Sequence, residues 1–219
     1  MKKRIIIGSI LFISSFILFS FYSNKNENSS IYKSNNNKIA YLEGDIIFQS
    51  SQSTQCKAVK LATHSEYSHV GMITYIDGKP FVLEAVEPVR TTELATWIAH
   101  GTGGHYTVMR LKDRNNEILD AEIKIAQQLA KKMIGTHYDI YFNWSDDELY
   151  CSELVWKIYK RGYGVELCSL RTMKEFDLSS PEVKTIMKQR YGNNPPLTEL
   201  VVAPSDLSNS PLLFEVEKK

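Results

Sequence analysis

The segment SHVGMITYIDGKPFVLEAV, residues 68–86, restricts the possible folds of this chain more than any other stretch. Two runs rich in β-branched and aromatic residues flank Asp77-Gly78. An Asp-Gly dipeptide between such runs is a strong signal for a β-hairpin with a two-residue turn. With this turn, Ile76 pairs with Lys79. The sequence therefore predicts two adjacent antiparallel strands whose register can be counted outward from the turn.

The register brings two chemically versatile side chains together. Counting from the turn, Glu84 comes opposite Gly71. Paired residues share a face of the sheet, and successive residues alternate between faces. His69 and Glu84 are therefore predicted to lie diagonally on one face, with Gly71 leaving the space above the sheet open. A carboxylate beside one ring nitrogen fixes the histidine tautomer, as a general base requires. A three-residue loop without a bulge would instead place the side chains of His69 and Glu84 on opposite faces of the sheet.

Cys151 precedes a segment, CSELVWKIYKRG, whose apolar residues recur at helical spacing. The spacing predicts a helix that begins at or just after Cys151. Unpaired N–H groups and the helix dipole favour an anion at that position, so the reactive thiolate is favoured. The same N–H groups could hold a developing oxyanion. The chain therefore contains the residue types of a Cys-His-Glu hydrolase, each in a suitable local setting.

Each of these three residues also has a purely structural interpretation. Cysteine is among the most buried residue types, so Cys151 could fill the core. His69 lies next to Val70 and could be a hydrogen-bonded core histidine. Glu84 could be a strand residue that faces solvent. Taken one residue at a time, the sequence leaves both interpretations open.

The remaining segments indicate one α+β domain over residues 40–219. Runs of helices and antiparallel strands occur without a βαβ rhythm, and the length suits a single core. Strands are predicted at 45–49, 105–112 and around 199–204, and helices after Ser53 and at 91–104, 115–135, 151–162 and 179–192, the last with Pro181 as its first residue.

The N-terminus has the form of an export signal. A basic start is followed by apolar and small residues from Ile5 to Tyr22, at the short limit of a membrane-spanning helix. No small-x-small pair precedes Ser23, which favours an uncleaved anchor at residues 1–22 over a cleaved, secreted form. Basic residues at the N-terminus stay in the cytoplasm, so the domain is predicted to be extracytoplasmic. Residues 23–39, rich in Asn, Ser and Lys, are predicted to form a flexible linker.

Composition argues against several function classes. Lys and Arg (26) nearly balance Asp and Glu (25), and the aromatic residues do not form basic stripes, so no nucleic-acid partner is predicted. The histidines lack zinc-site spacing, and no metal or cofactor is predicted; they are His64, His69, His100, His105 and His137. Cys56, Cys151 and Cys168 lack CxxC spacing, and a disulfide between two of them is left open.

Five motifs, taken in chain order, resemble one bacterial family. They are EGDIIFQ, SEYSHVGMI, FVLEAV, HYDIYFNWSDDELYCSELVW and APSDLSNSP, and they resemble the permuted papain-like amidases of the YiiX/YaeF type, relatives of the NlpC-type cell-wall peptidases. In papain-like enzymes the nucleophile helix precedes the histidine strand, whereas here His69 precedes Cys151. The resemblance implies a circularly permuted papain-like fold, an antiparallel sheet packed against helices that include the nucleophile helix.

The resemblance also implies roles for individual residues. Cys151 would be the nucleophile, His69 the base and Glu84 the third member, and Tyr138 and Tyr150 fall in pocket motifs and would contact substrate. The function implied is an extracytoplasmic cysteine hydrolase acting on a cell-envelope amide, with a small peptide, an amino-acid amide or an acyl-lipid as substrate. Thioester-mediated acyl transfer to a lipid or amine, and an inactive module that binds envelope ligands, remain as alternatives.

Overall fold

An antiparallel six-stranded sheet organises the part of the chain described by the computed structural model, residues 40–112 and 120–219. The strands are β1 (Ile46–Gln49), β2 (His69–Ile76), β3 (Lys79–Glu84), β4 (Arg90–Glu93), β5 (Tyr106–Leu111), β6 (His137–Tyr138), β7 (Glu148–Leu149), β8 (Arg171–Thr172), β9 (Leu200–Val201) and β10 (Leu213–Lys218). The large sheet has the order β10-β5-β1-β2-β3-β4, and the remaining strands form two short ribbons, β6-β7 and β8-β9.

The helices surround this sheet. They are α1 (Thr54–Thr63), α2 (Leu94–His100), α3 (Asp120–Met133), α4 (Cys151–Gly162), α5 (Pro181–Tyr191) and α6 (Pro204–Ser208), with short 3₁₀ turns at Thr102–Gly104 and Met173–Glu175. The Ser53 hydroxyl accepts the backbone N–H of Cys56 and caps α1, and Ser180 caps α5 ahead of Pro181. Both caps follow the sequence signals for helix starts. The α+β class is confirmed.

The predicted hairpin register is confirmed. Ile76 pairs with Lys79 and Met72 with Leu83. Asp77 has φ 49° and Gly78 φ 74°, the two positive φ angles that a type I′ turn needs. The register set by this turn is therefore the one that was counted from the sequence.

The two faces of the sheet carry separate hydrophobic clusters. Residues of even number in β1 and β2 pack with α4; this cluster includes Ile46, Phe48, Val70, Met72, Leu154 and Ile158. Residues of odd number in β1 and β2 pack with α2; this cluster includes Ile47, Ile73, Val82, Leu94 and Trp97. The alternation is the period of two expected of strands buried on both faces. The sheet is therefore the middle layer between α2 and α4.

The helix α4 is the central helix of the fold. It begins at Cys151 and ends at Gly162, and most of its residues are buried. A Cβ at Gly162 would lie 2.7 Å from Ala126 Cα, so the glycine allows α3 and α4 to pack closely. The chain then turns at Gly164, which has φ 73°, where glycine avoids the cost of a left-handed backbone.

Several elements differ from the sequence predictions. The helix predicted from residue 91 begins only at Leu94, because Arg90–Glu93 pairs with β3 as a strand. The strand predicted around 199–204 is reduced to β9, which pairs with β8, and the edge strand of the large sheet is instead β10. Neither β4 nor β10 was predicted. The strand β10 pairs with β5, far away in the chain, and β4 is a four-residue strand, Arg90–Glu93, with no apolar residue. Local propensity therefore carries little information about either strand.

Some sequence predictions concern residues outside the described ones. They are the anchor at 1–22, the linker at 23–39 and the first turns of the helix predicted from 115. Within residues 40–112 and 120–219, no helix has the length and apolar character needed to cross a membrane. The cysteines Cys56, Cys151 and Cys168 are all free thiols, so no disulfide is present.

Candidate active site

The hairpin holds His69 against Glu84. His69 Nε2 lies 2.7 Å from Glu84 Oε2, and the two side chains are 15% and 3% exposed. His69 is the first residue of β2 and Glu84 the last of β3, so both lie at the same end of the sheet. The register predicted that the two side chains lie diagonally on one face, and the structure shows that they also form a direct hydrogen bond.

The expectation of open space above Gly71 is wrong. A Cβ at this position would lie 2.4 Å from Val82 Cγ1 and 2.8 Å from the carbonyl oxygen of Leu83. These distances are too short for any side chain, because Val82 and Leu83 of the neighbouring strand β3 occupy the space beside the glycine. Gly71 therefore allows β3 to approach closely and so supports the position of Glu84 at its end.

Two further donors hold the Glu84 carboxylate. The Thr92 hydroxyl donates to Oε1 at 2.6 Å, and the Trp97 indole N–H donates to Oε2 at 2.8 Å. The Trp97 ring also stacks against His69, with centroids 5.8 Å apart and an interplanar angle of 26°. Sequence reasoning missed both residues. Thr92 lies on the unpredicted strand β4, and no sequence signal indicates that the face of α2 carrying Trp97 covers the hairpin.

Cys151 completes a line of hydrogen bonds through the histidine. It is the first residue of α4 and 6% exposed, and its side chain hydrogen-bonds with the His69 ring. Since Nε2 faces Glu84, Nδ1 is the ring nitrogen left for the sulfur. His69 lies at the end of its strand, so its ring contacts Trp97 in one layer and Cys151 from the other. The site therefore spans both faces of the sheet.

The hydrogen bonds among Cys151, His69 and Glu84 favour the charged forms of His69 and Glu84. Burial is the largest influence on His69 and acts to lower its pKa, but hydrogen bonds to Cys151 and Glu84 outweigh it and raise the pKa to about 10. Burial likewise acts to raise the pKa of Glu84, yet the bonds to His69, and then to Thr92 and Trp97, bring it below its ordinary value. The geometry thus favours an imidazolium between the carboxylate and the sulfur.

The two tyrosines expected to contact substrate differ in their hydrogen bonding. The Tyr138 hydroxyl accepts from Gln55 Nε2 at 2.8 Å, which leaves its own proton available. Burial, and then the charge on Cys151, raise the pKa of Tyr138 well above its ordinary value, so this phenol remains a donor. Tyr150 is 2% exposed, and its hydroxyl accepts the backbone N–H of Val202 at 3.2 Å. Tyr150 therefore also ties the start of α4 to the segment after β9.

A cavity of about 120 Å³, open to solvent, adjoins the sulfur. Cys151, Tyr138 and Tyr150 all line it, and its remaining walls are mainly apolar. Side chains from α1 and α5, which pack against each other, form part of the wall; they include Ala58, Val59, Ala62, Val183, Ile186 and Met187. The cavity suits an apolar group placed next to the thiol.

A buried ion pair supports the start of α4. Glu153 Oε1 and Lys157 Nζ are 2.7 Å apart, with side chains 0% and 1% exposed. Glu153 Oε2 also accepts the backbone N–H of Tyr150 at 3.3 Å, and Lys157 bonds to Asp146 in the preceding loop. Burial raises the pKa of Glu153 to about 7, although Lys157 opposes the rise. The pair therefore connects the loop that enters the site to the helix that carries Cys151.

Comparison with known proteins agrees with these features. Residues 40–216 match the profile of a family described as "permuted papain-like amidase enzyme, YaeF/YiiX, C92 family". The chain is 48% identical over 176 residues to the uncharacterized protein YiiX of Escherichia coli K12, covering 80% of this chain and 86% of that protein. It also superposes, with a TM-score of 0.76 and 47% identity, on a crystal structure described as metalloprotein YiiX from Escherichia coli O157:H7, covering 81% of this chain and 97% of the other.

In the described part of the present chain, no group of three or more His, Cys, Asp or Glu side chains is arranged to hold a metal ion. The residues described therefore do not fit a metal centre.

Proposed function

The chain belongs to the permuted papain-like amidase family, and we propose on that basis that it is a cysteine hydrolase that cleaves an amide bond with Cys151, His69 and Glu84. One observation carries the proposal. A thiol at the start of a helix is connected through a histidine to a buried carboxylate in one continuous line of hydrogen bonds. A nucleophile, a base and an orienting group in that order form the arrangement used for covalent catalysis.

The acylation step follows from the charges. The Cys151 thiolate attacks the carbonyl carbon and forms a C–S bond. His69, held by Glu84, donates a proton to the leaving nitrogen as the C–N bond breaks. The products of this step are a free amine, a thioester on Cys151 and a neutral imidazole.

Deacylation reverses the proton movement. Neutral His69 takes a proton from water as the water oxygen attacks the thioester carbon. The C–S bond then breaks, the carboxylic acid leaves, and the thiolate and imidazolium are restored. The backbone N–H of Cys151 and the hydroxyl of Tyr138 are the donors proposed for the oxyanion formed in each step.

The apolar cavity favours a second candidate, acyl transfer. Apolar walls next to the thiol can retain an acyl chain after the amine has left. A thioester held in this way can pass its acyl group to a lipid hydroxyl or an amine instead of water. The triad chemistry is the same in both reactions, so the identity of the acceptor distinguishes them.

We further propose that the reaction takes place outside the cytoplasm on cell-envelope molecules, with the N-terminal segment as a membrane anchor. The support is the basic start and the apolar run from Ile5 to Tyr22. Protease accessibility of the intact chain in whole cells and in inverted vesicles tests this orientation. Digestion of the domain only in inverted vesicles would contradict it.

Thiol labelling tests the proposed nucleophile, provided that Cys56 is removed first. Burial acts to raise the pKa of Cys56, but hydrogen bonds from Ser51, Ser53 and Ser68 outweigh it and lower the pKa, so Cys56 is expected to react as well. Cys168 is a suitable internal reference because burial raises its pKa to about 12. The experiment therefore uses the full chain with Cys56→Ser, iodoacetamide at about pH 6, and peptide mass spectrometry.

Cys151 is expected to be alkylated faster than free cysteine and much faster than Cys168, and His69→Gln is expected to slow it. The matched control is His137→Gln, which removes an exposed histidine that pairs with Glu87 at the same 2.7 Å distance. The nucleophile proposal fails if Cys151 reacts no faster than free cysteine and His69→Gln has no effect.

Turnover separates the three functions. Acyl amides and peptide amides are incubated with the parent and with Cys151→Ala, and the products are identified by mass spectrometry. Cys151-dependent release of a free acid indicates hydrolysis, and an acylated acceptor indicates transfer. Binding without any Cys151-dependent product would refute catalysis and leave an envelope-ligand binding module.

A further inference from the structure

Ser152, the residue after the candidate nucleophile, is bonded to a segment 50 positions away in the chain. Its hydroxyl donates to the carbonyl oxygen of Val202 at 2.7 Å. Ser152 is 1% exposed and Val202 is 3% exposed, so this hydrogen bond is shielded from water. Neither acylation nor deacylation uses the Ser152 hydroxyl, and its burial beside the thiol therefore needs another explanation.

The residue before the nucleophile is bonded to the same partner. The Tyr150 hydroxyl accepts the backbone N–H of Val202 at 3.2 Å. Cys151 therefore lies between two residues whose hydroxyl groups both bond to the backbone of Val202, one to its N–H and one to its carbonyl oxygen. We call this arrangement of Tyr150, Ser152 and Val202 the Val202 clamp.

The segment that carries Val202 is itself held on both sides. Before it, Val201 pairs with Arg171 in the β8-β9 ribbon. After it, the Ala203 backbone N–H donates to Asp206 Oδ2 at 2.8 Å, and Asp206 forms an ion pair with Arg171 at 2.7 Å. The clamp therefore connects the start of α4 to a supported part of the fold.

The clamp acts on the backbone N–H of Cys151. The first N–H groups of a helix have no partner within the helix, and this one is a proposed donor to the oxyanion. Its direction is set by the orientation of the backbone on either side of Cys151, which is where Tyr150 and Ser152 are held. An oxyanion donor must lie about 3 Å from the developing charge, and a displacement of about 1 Å at a reacting centre can cost about 100-fold in rate.

We propose that Ser152 is a positioning residue, which through the Val202 carbonyl holds the backbone N–H of Cys151 in place for the oxyanion. Loss of its hydroxyl leaves only the Tyr150 half of the clamp, so the donor is displaced while the thiol and its histidine partner are retained. This role rests on the proposed function, because it matters only if Cys151 is acylated.

Two reactions of the same thiol separate this role from a general effect on the thiolate. In alkylation by iodoacetamide, the sulfur attacks a saturated carbon and displaces iodide, and no oxyanion forms. In acylation by 4-nitrophenyl acetate, the C–S bond forms while an oxyanion develops on the carbonyl oxygen, and 4-nitrophenolate then leaves as the C–O bond breaks. Both reactions need the thiolate, but only the second needs the positioned N–H.

The experiment uses the full-length chain with Cys56→Ser, with both reactions followed at the same pH. The absorbance of 4-nitrophenolate gives the rate of the first acylation, and peptide mass spectrometry verifies modification of Cys151. The test variant is Ser152→Ala, with Tyr150→Phe as a second variant that removes the other half of the clamp.

Ser210→Ala is the matched control. The Ser210 hydroxyl is also buried and donates to a backbone carbonyl, that of Leu167, at 2.5 Å. It also accepts the backbone N–H of Leu212 at 3.3 Å, so the control loses at least as many hydrogen bonds as Ser152→Ala. A loss of stability alone should therefore affect both variants.

The parent is expected to be acylated at Cys151. Ser152→Ala is expected to lower the rate constant of acylation at least about tenfold and to leave alkylation of Cys151 largely unchanged. Tyr150→Phe is expected to show the same selective loss. Ser210→Ala is expected to retain both rates, even where thermal unfolding shows that it is less stable.

Three results would overturn the positioning role while leaving the nucleophile intact. They are unchanged acylation in Ser152→Ala, an equal loss of acylation and alkylation in that variant, and the same selective loss in Ser210→Ala. Absence of acylation at Cys151 in the parent would instead refute the proposed function, and the positioning role with it. Thermal unfolding verifies that each variant is folded, and Tyr150→Phe decides the outcome if Ser152→Ala is not.

Discussion

Replacement of Glu84 by glutamine changes the charge of the candidate triad while keeping its shape. Glu84 Oε2 accepts from His69 and Trp97, and Oε1 accepts from Thr92. The glutamine oxygen can take the Oε2 position, and the amide nitrogen then faces the Thr92 hydroxyl, which can rotate to accept. Every hydrogen bond can therefore be retained, so the expected effects come from the lost charge.

The loss of charge is expected to lower the pKa of His69 and to weaken the fold. Burial, the largest influence on His69, acts to lower the pKa, and Cys151 and Glu84 together raise it to about 10. Without the carboxylate, only Cys151 opposes burial. Hydrogen bonds to charged groups contribute about 1.5–3 kcal/mol, so Glu84→Gln is expected to lower the free energy of unfolding by about 2 kcal/mol near pH 6.

The pH dependence has a definite sign. A histidine whose pKa is raised on folding stabilises the folded state fully below its unfolded pKa of about 6.5. This contribution disappears as the pH rises through the folded value of about 10. The parent is therefore expected to lose stability between these limits, and Glu84→Gln is expected to show a smaller loss over the same range.

The assay combines urea unfolding at several pH values with an NMR titration of the His69 ring. Glu87→Gln is the control, because Glu87 also pairs with a histidine at 2.7 Å, but at the surface, where its side chain is 60% exposed. That control is expected to shift the titration of His137 and leave His69 unchanged. An unchanged His69 titration in Glu84→Gln would refute the reasoning, as would the same pH dependence of stability in the two proteins.

Three further substitutions test the surroundings of the site. Trp97→Phe keeps a ring beside the imidazole but removes the N–H donor to the Glu84 carboxylate. Urea unfolding is expected to show a free energy of unfolding lower by about 2 kcal/mol. An unchanged free energy of unfolding would mean that this hydrogen bond has little effect. Gly71→Ala places a Cβ 2.4 Å from Val82 Cγ1 and is expected to lower the melting temperature by several degrees; an unchanged melting temperature would contradict this packing. Lys157→Met leaves the buried Glu153 without its cation and is expected to lower the free energy of unfolding by about 3–5 kcal/mol. Adding Glu153→Leu is expected to recover most of this loss. If the second change does not recover stability, the result would argue against the ion pair.

Local sequence determined the parts of this protein whose partners lie close in the chain. Asp77-Gly78 defines the hairpin register because a two-residue turn leaves one antiparallel pairing, and this register places His69 and Glu84 on one face of the sheet, where the structure shows them in contact. The helix that begins at Cys151 follows from apolar spacing over one continuous segment. These features involve neighbouring residues, so propensity and period suffice to find them.

Tertiary structure alone decided which side chains complete the site. Thr92 and Trp97 reach Glu84 only because β4 extends the hairpin and α2 folds over it. Gln55 and Arg190 meet although 135 positions separate them in the chain, because α1 and α5 pack against each other where they line one cavity. No local pattern encodes such pairings, since they depend on how complete layers pack.

The position of the Cys151 thiol was also determined partly by local sequence and partly by tertiary structure. The sequence placed Cys151 at the start of a helix, but it contained no information on which layer that helix occupies. The structure packs α4 on one face of the sheet and α2 on the other, and His69 contacts both layers because it is the first residue of its strand. The packing of the helices on the two faces of the sheet therefore decides whether Cys151, at the start of its helix, contacts His69, at the start of its strand.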